Sequence, residues 1–312
     1  MYRDKSVAIV VPAYNEERYI FETLTTIPKW IDQIIVVNDA STDKTEFEIQ
    51  KAKALYGSIT HITHDVNQGV GAAILSGYKM ALEADRSMVC VMAGDGQMDP
   101  SELQRLLDPI CENRCEMSKG NRFFSLNSIQ GMPRKRILGN IFFTLLTKIG
   151  SGYWSIVDPQ NGYVAVSTKS LRSLSLDRIS KRYDFENDFL CHMRMIDARV
   201  IDVPIPARYR GEVSTIRIIP TIFRIFKTLW RGFWRRILIK NLLWSFTLIP
   251  IFLFLGLIGL ASAGLTGLWA ISNSLGENLM SSGTASFIAI LIITSSQLLL
   301  TSLILDVFSE PK

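Results

Sequence analysis

Residues 7–17 read VAIVVPAYNEE: five apolar residues, a proline, then a polar and acidic cluster. A run rich in Val and Ile suits a strand buried on both faces. Pro12 is expected to end that strand, and Asn15 and Glu16 to open a helix whose first N–H groups favour anions. The pattern recurs about every 27 residues, with QIIVV from Gln33, ITHIT from Ile59 and SMVCVM from Ser87. Helical patterns fill the gaps at residues 17–27, 43–56 and 70–84. Strand–helix–strand units of this length predict an α/β fold with a mainly parallel sheet. Ligands of such sheets bind beyond the carboxyl ends of the strands.

That rule selects four tips: PAYNEE, NDASTD, DVNQGVGAA and AGDGQMDP. In the second, Asp39 and Asp43 flank a Ser-Thr turn; one is expected to cap a helix, leaving the other for a base or ribose. In the third, Gly69 and Gly71 let backbone approach a ligand. The dinucleotide pattern G-x-G-x-x-G is not met, because neither Ile74 nor Leu75 is glycine, which argues against a nicotinamide cofactor. In the fourth, Asp95 is a candidate ligand for a hard cation, whereas Asp99 before Pro100 is expected to cap the next helix. Each tip alone is an ordinary turn. Four at one sheet edge make a nucleotide pocket.

The chain of 312 residues is 48% hydrophobic, with mean hydropathy +0.20. The excess is concentrated. Residues 241–276 and 278–305 contain no Asp, Glu, Lys or Arg. Each run exceeds the ~20 residues a helix needs to cross a bilayer, and the expected spans are 242–265 and 284–305, closed by a short linker into a hairpin. Ahead of them, IFRIFKTLWRGFWRRILIK sets Arg224, Lys227, Arg231 and Arg235 at three- and four-residue steps among aromatic residues. This predicts amphipathic juxtamembrane helices over 216–240, lying on the lipid surface. The positive-inside bias puts residues 1–240 and the short tail in the cytoplasm, making an integral membrane protein with a cytoplasmic catalytic domain.

The net charge of +5 suits anionic lipid or phosphorylated ligands, and no aromatic-basic pattern points to nucleic acid. The four cysteines include only one close pair, Cys111 and Cys115, too few for a zinc site, and free thiols are expected. His61 and His64 stand three apart on a strand-like run and face opposite ways, which makes them poor co-ligands.

The ordered series VPAYNEE, VVNDASTD, NQGVGAA, GDGQMDP, GNRFF, DPQNGY and RYRGEVS resembles glycosyltransferase family 2, and within it the dolichol- and polyprenyl-phosphate sugar synthases. The resemblance covers residues 6–215. It implies a GT-A nucleotide-sugar-binding domain, a nucleotide-sugar donor (UDP- or GDP-linked) and a divalent cation, Mg²⁺ or Mn²⁺. It implies that Pro12, Tyr14, Glu16 and Asp39 hold the nucleotide and that Arg210 reaches the donor diphosphate. Asp95 takes the second acid position of the family's D-x-D, with Gln97 as neighbouring metal ligand; Ala93 stands where the first acid is expected. Asp158 is implied near the donor sugar, and Arg122, Arg136 and Asn140 at the acceptor phosphate, with Asp95, Asp158, Arg122 and Arg136 forming the catalytic set. On the helix opened by Pro133, Arg136 and Asn140 stand four apart and share a face.

The expected reaction is inverting, metal-dependent transfer of one sugar to a polyprenyl or dolichyl phosphate. An anionic acceptor needs no strong base, so positioning and electrostatics carry the step. Two rivals are a processive polysaccharide synthase, which would carry Q-x-x-R-W and more spans, and a membrane-anchored binding protein with a decayed site, for which Ala93 speaks. A homo-oligomer is left open.

Overall fold

The computed structural model describes residues 1–124, 134–206, 218–274 and 281–312. They divide into two compact units, one of Met1–Phe233 with Pro311–Lys312 and one of Trp234–Glu310.

The first unit is built on a seven-stranded sheet. Its strands are β1 (Val7–Ala13), β2 (Gln33–Asn38), β3 (Ile59–Thr63), β4 (Met88–Val91), β5 (Met117–Asn121), β6 (Val164–Ser167) and β7 (Val200–Pro204), in spatial order β3-β2-β1-β4-β6-β5-β7. All pairings are parallel except those of β6, which runs antiparallel to β4 and β5. The helices are α1 (Ile20–Thr26), α2 (Thr45–Leu55), α3 (Val70–Glu83), α4 (Leu103–Cys111), α5 (Arg134–Ser151), α6 (Thr168–Arg172), α7 (Phe185–Met195) and α8 (Ile218–Arg235). The sequence-predicted strands and first three helices are present: β1 and β2 run one or two residues longer than expected, β4 is shorter by one at each end, and the helices are trimmed by up to three residues.

Every residue of β1 is buried, and alternate side chains feed two cores. Val7, Ile9 and Val11 pack with Ile20, Leu24, Leu103 and Leu106 on one face. Ala8 and Val10 pack with Ala73, Tyr78, Phe189 and Leu190 on the other. Each fully buried aliphatic side chain contributes about 1.5–3 kcal/mol, so a strand buried on both sides anchors three layers at once. Gly77 shows how closely α3 lies on β1: a Cβ there would come 2.3 Å from Val10 Cγ1.

Pro12 does not end β1. The strand runs on to Ala13, and Pro12 keeps its register opposite Val37. The carbonyls of Val10 and Pro12 both accept from the segment after β4, from Met92 and Gly94 N–H. The missing proline N–H therefore faces a side where the paired part of β4 has already stopped at Val91.

In the second unit, a π-helical segment Arg236–Trp244 precedes α9 (Leu248–Ser274) and α10 (Ser282–Phe308). The first long helix starts at Leu248 rather than at 242. The chain breaks at Phe246 (φ 44°), and Pro250 then sits in the first turn, where its lost N–H costs nothing. At 27 residues each, both helices are long enough to cross a bilayer. Leu255, Ile258, Leu265, Phe287, Ile290 and Ile293 are exposed on them. They pack antiparallel: Ser302 Oγ donates to Ile249 O at 2.8 Å, and Gly256 and Gly259 lie against Leu299 and Ser295. Buried Arg236 donates to buried Asp306, which ties the π-helical segment to α10.

Candidate active site

The tips of β1, β2 and β3 are knotted to one another. Asn15 N–H donates to Ser41 Oγ at 3.0 Å, and Thr42 N–H returns a bond to Asn15 Oδ1 at 2.8 Å. Glu16 N–H reaches Thr45 Oγ1 at 2.7 Å. Asn15 and Ala40 both take left-handed φ of 59°. An alanine there costs about 1 kcal/mol, so two tips hold conformations that only the surrounding bonds enforce. Asp43, one residue ahead of the N-cap position of α2, takes the helix-start role expected of one of the two acids, accepting from Thr45 N–H at 3.0 Å and from Glu17 N–H at 3.2 Å. Asp39 is buried and accepts from Gln68 N–H at 2.9 Å and Gly69 N–H at 2.8 Å. The two histidines do face opposite ways: His61 lies against Gln50 and Glu46 of α2, and His64 against Asp39 and Ser76 of α3.

Beyond β4 the chain makes a tight turn. Gln97 N–H donates to Asp95 Oδ1 at 3.0 Å, around Gly96 with φ 71°. Asp99 caps the short 3-10 turn Pro100–Glu102 through Ser101 N–H at 3.0 Å, as its sequence position predicts. Tyr163 Oη donates to Asp99 O at 2.7 Å and holds this loop to β6. Ala93 offers no ligand oxygen in its side chain, and its N–H points to Met98 Sδ at 3.1 Å.

A cavity of about 220 Å³ opens between these elements, lined by Pro12, Ala93, Asp95, Gln97, Arg122 and Glu186 among others. A larger hollow of about 420 Å³ lies beside α1, bordered by Glu22, Thr26 and Ser101. Of these two, the smaller brings acids, an amide and a guanidinium together at the strand ends. Arg122 stands just past β5. Its Nε and Nη2 donate to Asp158 Oδ2 and Oδ1 at 2.8 and 3.0 Å, and its backbone N–H donates to Oδ2 at 3.1 Å. Asp158 is 1% exposed, while the Arg122 side chain keeps 28%.

Behind the cavity lies a buried charge cluster. Lys119 of β5 donates to the carbonyl of Asn161, and burial pushes its ammonium pKa down against the pull of Glu186, Asp158 and Asp202. Glu186, in the first turn of α7, is half-buried and lines the cavity; desolvation raises its carboxyl pKa and Lys119 opposes the rise. Asp202 of β7 accepts from Val157 N–H at 2.7 Å and is pushed up to about 6, chiefly by burial. Asn187 Oδ1 receives Thr147 Oγ1 of α5 at 2.8 Å and Gln160 Nε2 at 3.1 Å, which fixes the start of α7 beside the cavity.

Of the sequence-derived candidates, Pro12, Asp95, Gln97 and Arg122 line one cavity, with Asp158 behind Arg122. Tyr14, 46% exposed, and Glu16 sit at the neighbouring β1 tip. Asn140 is half-buried on α5. Arg136 is on the same helix, but its side chain lies outside the described residues, as does all of Arg210. Sequence reasoning missed Glu186, Lys119 and Asp202 as members of this cluster; an acid in the first turn of a helix needs no site to explain it. The signal for the last two was a lone charge inside an otherwise uncharged strand, in MSKGN and VIDVP.

Residues 8–174 match Glycosyl transferase family 2. The chain is 28% identical over 220 residues to a UDP-N-acetylglucosamine–dolichyl-phosphate N-acetylglucosaminyltransferase of Methanococcus voltae, covering 66% of this chain and 87% of that one. It is 28% identical over 203 residues to an undecaprenyl-phosphate mannosyltransferase of Micrococcus luteus, covering 64% and 82%. Its structure is similar to that of glucosyl-3-phosphoglycerate synthase from Mycobacterium tuberculosis, solved with Mn2+, uridine diphosphate and glucosyl-3-phosphoglycerate. The TM-score is 0.58 and the identity 18%, over 73% of this chain and 80% of that one. At that identity the likeness is one of fold.

Proposed function

The chain belongs to glycosyl transferase family 2, and from that membership we propose that it moves one sugar, with inversion, from a UDP- or GDP-linked donor to a polyprenyl or dolichyl phosphate. It is a glycosyltransferase with a GT-A-like fold. Relatives named for transfer to dolichyl and undecaprenyl phosphate support a lipid-phosphate acceptor. Helices α9 and α10 support a membrane anchor, and the basic stretch ahead of them supports a cytoplasmic catalytic domain. Residues 1–215 form the catalytic domain in this reading, 216–240 the juxtamembrane stretch and 241–312 the hairpin.

The observation that carries the proposal is the meeting of Asp95, Gln97 and Arg122 around one cavity at the carboxyl ends of the strands. Transfer brings two anions together, the donor diphosphate and the acceptor phosphate. Arg122 would hold the acceptor with Arg136 and Asn140, while Pro12, Tyr14, Glu16 and Asp39 receive the nucleotide and Arg210 the diphosphate. Asp158 holds the Arg122 guanidinium in one plane, so the cation is oriented before the lipid arrives. An ionised phosphate is its own nucleophile, and the protein's part is alignment and charge balance.

A divalent cation, Mg²⁺ or Mn²⁺, fits the donor set. Asp95 and Gln97 offer hard oxygens, and the Asx turn sets the Asp95 carboxylate at the cavity wall. Among the described residues no group of three or more His, Cys, Asp or Glu could enclose an ion. The protein's share of ligands would thus be small, with diphosphate oxygens and water completing the shell. When bound, the cation supplies Lewis-acid neutralisation of the departing diphosphate.

Incubating the membrane protein with labelled UDP- and GDP-sugars and a polyprenyl phosphate tests this. A lipid-soluble, acid-labile sugar product is expected from one donor. Labelling of water-soluble acceptors alone would refute the lipid-phosphate reading.

A further inference from the structure

The histidine dismissed as a metal ligand has a different task. His64 follows β3, and its side chain is 8% exposed. Its Nδ1 lies 2.7 Å from Asp39 Oδ1, and its Nε2 lies 2.9 Å from Ser76 Oγ on α3. An ionised carboxylate only accepts, so Nδ1 carries a proton toward Asp39. In the neutral ring Nε2 is then the acceptor, and the Ser76 hydroxyl donates to it. The Asp39 carboxylate thereby fixes the tautomer, and the Ser76 hydroxyl, able to donate, satisfies Nε2.

Asp39 passes the constraint on. Besides His64 it takes the N–H groups of Gln68 and Gly69, while its own N–H bonds to Ala13 O at 2.9 Å. The ends of β1, β2 and β3 and the start of α3 thus converge on one residue, which directly follows β2, bonds β1 through its backbone and meets the others through its carboxylate. Three protein donors use three of about four acceptor positions on it, which leaves one for a nucleobase N–H. The turn it closes is tightly fitted: Gly69 has φ 102° and ψ 160°, and a Cβ there would stand 2.6 Å from Lys181 O.

We propose that His64 is a positioning residue for the nucleotide end of the donor: through Nδ1–H it fixes the Asp39 carboxylate, which closes the Gln68–Gly69 turn and presents its remaining lone pair. The proposal rests on the reading of these tips as the nucleotide site. His64 itself touches no reacting atom. Its loss weakens nucleotide binding and leaves the chemical step alone.

Two isosteres separate this role from simple packing. His64→Asn can set an amide N–H where Nδ1 stood; His64→Gln extends its amide toward the Nε2 position and Ser76. The full chain in detergent is titrated calorimetrically with UDP and with GDP, then assayed for turnover. His64→Gln is expected to lose about tenfold in nucleotide affinity, as one charge-assisted hydrogen bond implies, and to raise the donor KM equally with kcat within about twofold. His64→Asn is expected to stay near the parent. Parent binding with the two variants equal to each other overturns the role of His64 and leaves the proposed function standing. A parent that binds neither nucleotide overturns both.

Discussion

Arg122 and Asp158 meet side-on, two guanidinium nitrogens against two carboxylate oxygens at 2.8 and 3.0 Å, with a third bond from the Arg122 backbone at 3.1 Å. The carboxylate is buried and the guanidinium edge is exposed to the cavity. The two residues stand 36 apart in the chain, on the exits of β5 and of the α5–β6 connection. Resemblance assigned one to the acceptor phosphate and the other to the donor sugar; geometry makes them one device.

Arg122→Lys therefore does more harm than its unchanged charge suggests. A lysine cannot reproduce the planar fork, and the partner carboxylate loses one of its bonds. The acceptor KM is expected to rise about tenfold or more, with UDP or GDP affinity unchanged. Asp158→Asn is expected to give the same acceptor defect, because the guanidinium then lacks its orienting charge. The double variant is expected to be no worse than the poorer single one, since coupled residues are not additive. Steady-state kinetics with varied polyprenyl phosphate check this, and additive losses would separate the pair into two independent roles.

The fold was legible because period and punctuation agreed. β1, β2 and β4 are uninterrupted apolar runs, and each ends in a polar tip of the kind that a parallel sheet places at its working edge. The cluster behind the cavity was not legible. Lys119 and Asp202 become neighbours only because β5 and β7 pair in register, Lys119 opposite Asp202, across 83 residues of chain. No local pattern encodes that pairing. The contacts of His64 were hidden for a related reason: its spacing from His61 correctly excluded shared ligation, but its partner Asp39 follows a different strand.

Asp95 separates charge from loop structure. Its Oδ1 holds the turn through Gln97 N–H, and an amide oxygen can do the same. Asp95→Asn should keep the turn and the melting temperature while losing turnover by about a hundredfold, the scale of a lost electrostatic stabiliser in a closed site. Asp95→Ala should lose the same turnover and some stability as well. Stripping the parent with chelator should abolish product, and returning Mn²⁺ or Mg²⁺ should restore it. Equal rates for parent and Asp95→Ala would refute metal-assisted catalysis at this site, whereas a parent without turnover would favour the rival reading of a decayed site, for which Ala93 speaks.

Asp202 predicts the pH dependence of stability. Burial lifts its pKa from 3.8 to about 6 in the folded protein, with nearby Asp158 adding to the rise, while Val157 N–H and Lys119 hold it back. Between those values the folded state binds the extra proton. The stabilisation is complete below pH 4 and fades as pH rises through about 6. A shift of this size corresponds to about 2–3 kcal/mol, reduced by whatever solvent reaches the carboxyl. Asp202→Asn removes the ionisation but keeps an oxygen for Val157 N–H. The parent at pH 4 carries a neutral acid there, so the difference between variant and parent at that pH reports the amide substitution alone. Raising the pH to 7 should move that difference in favour of Asn by about 2 kcal/mol, a melting-temperature change of several degrees. The raised pKa of Glu186 is common to both proteins and cancels, provided it is not itself shifted by the loss of charge at position 202. Paired thermal melts of detergent-solubilised parent and variant at pH 4, 5, 6 and 7 make the comparison. A constant difference across that range would mean that Asp202 ionises as a solvated carboxylate and that the cluster around Lys119 is open to water.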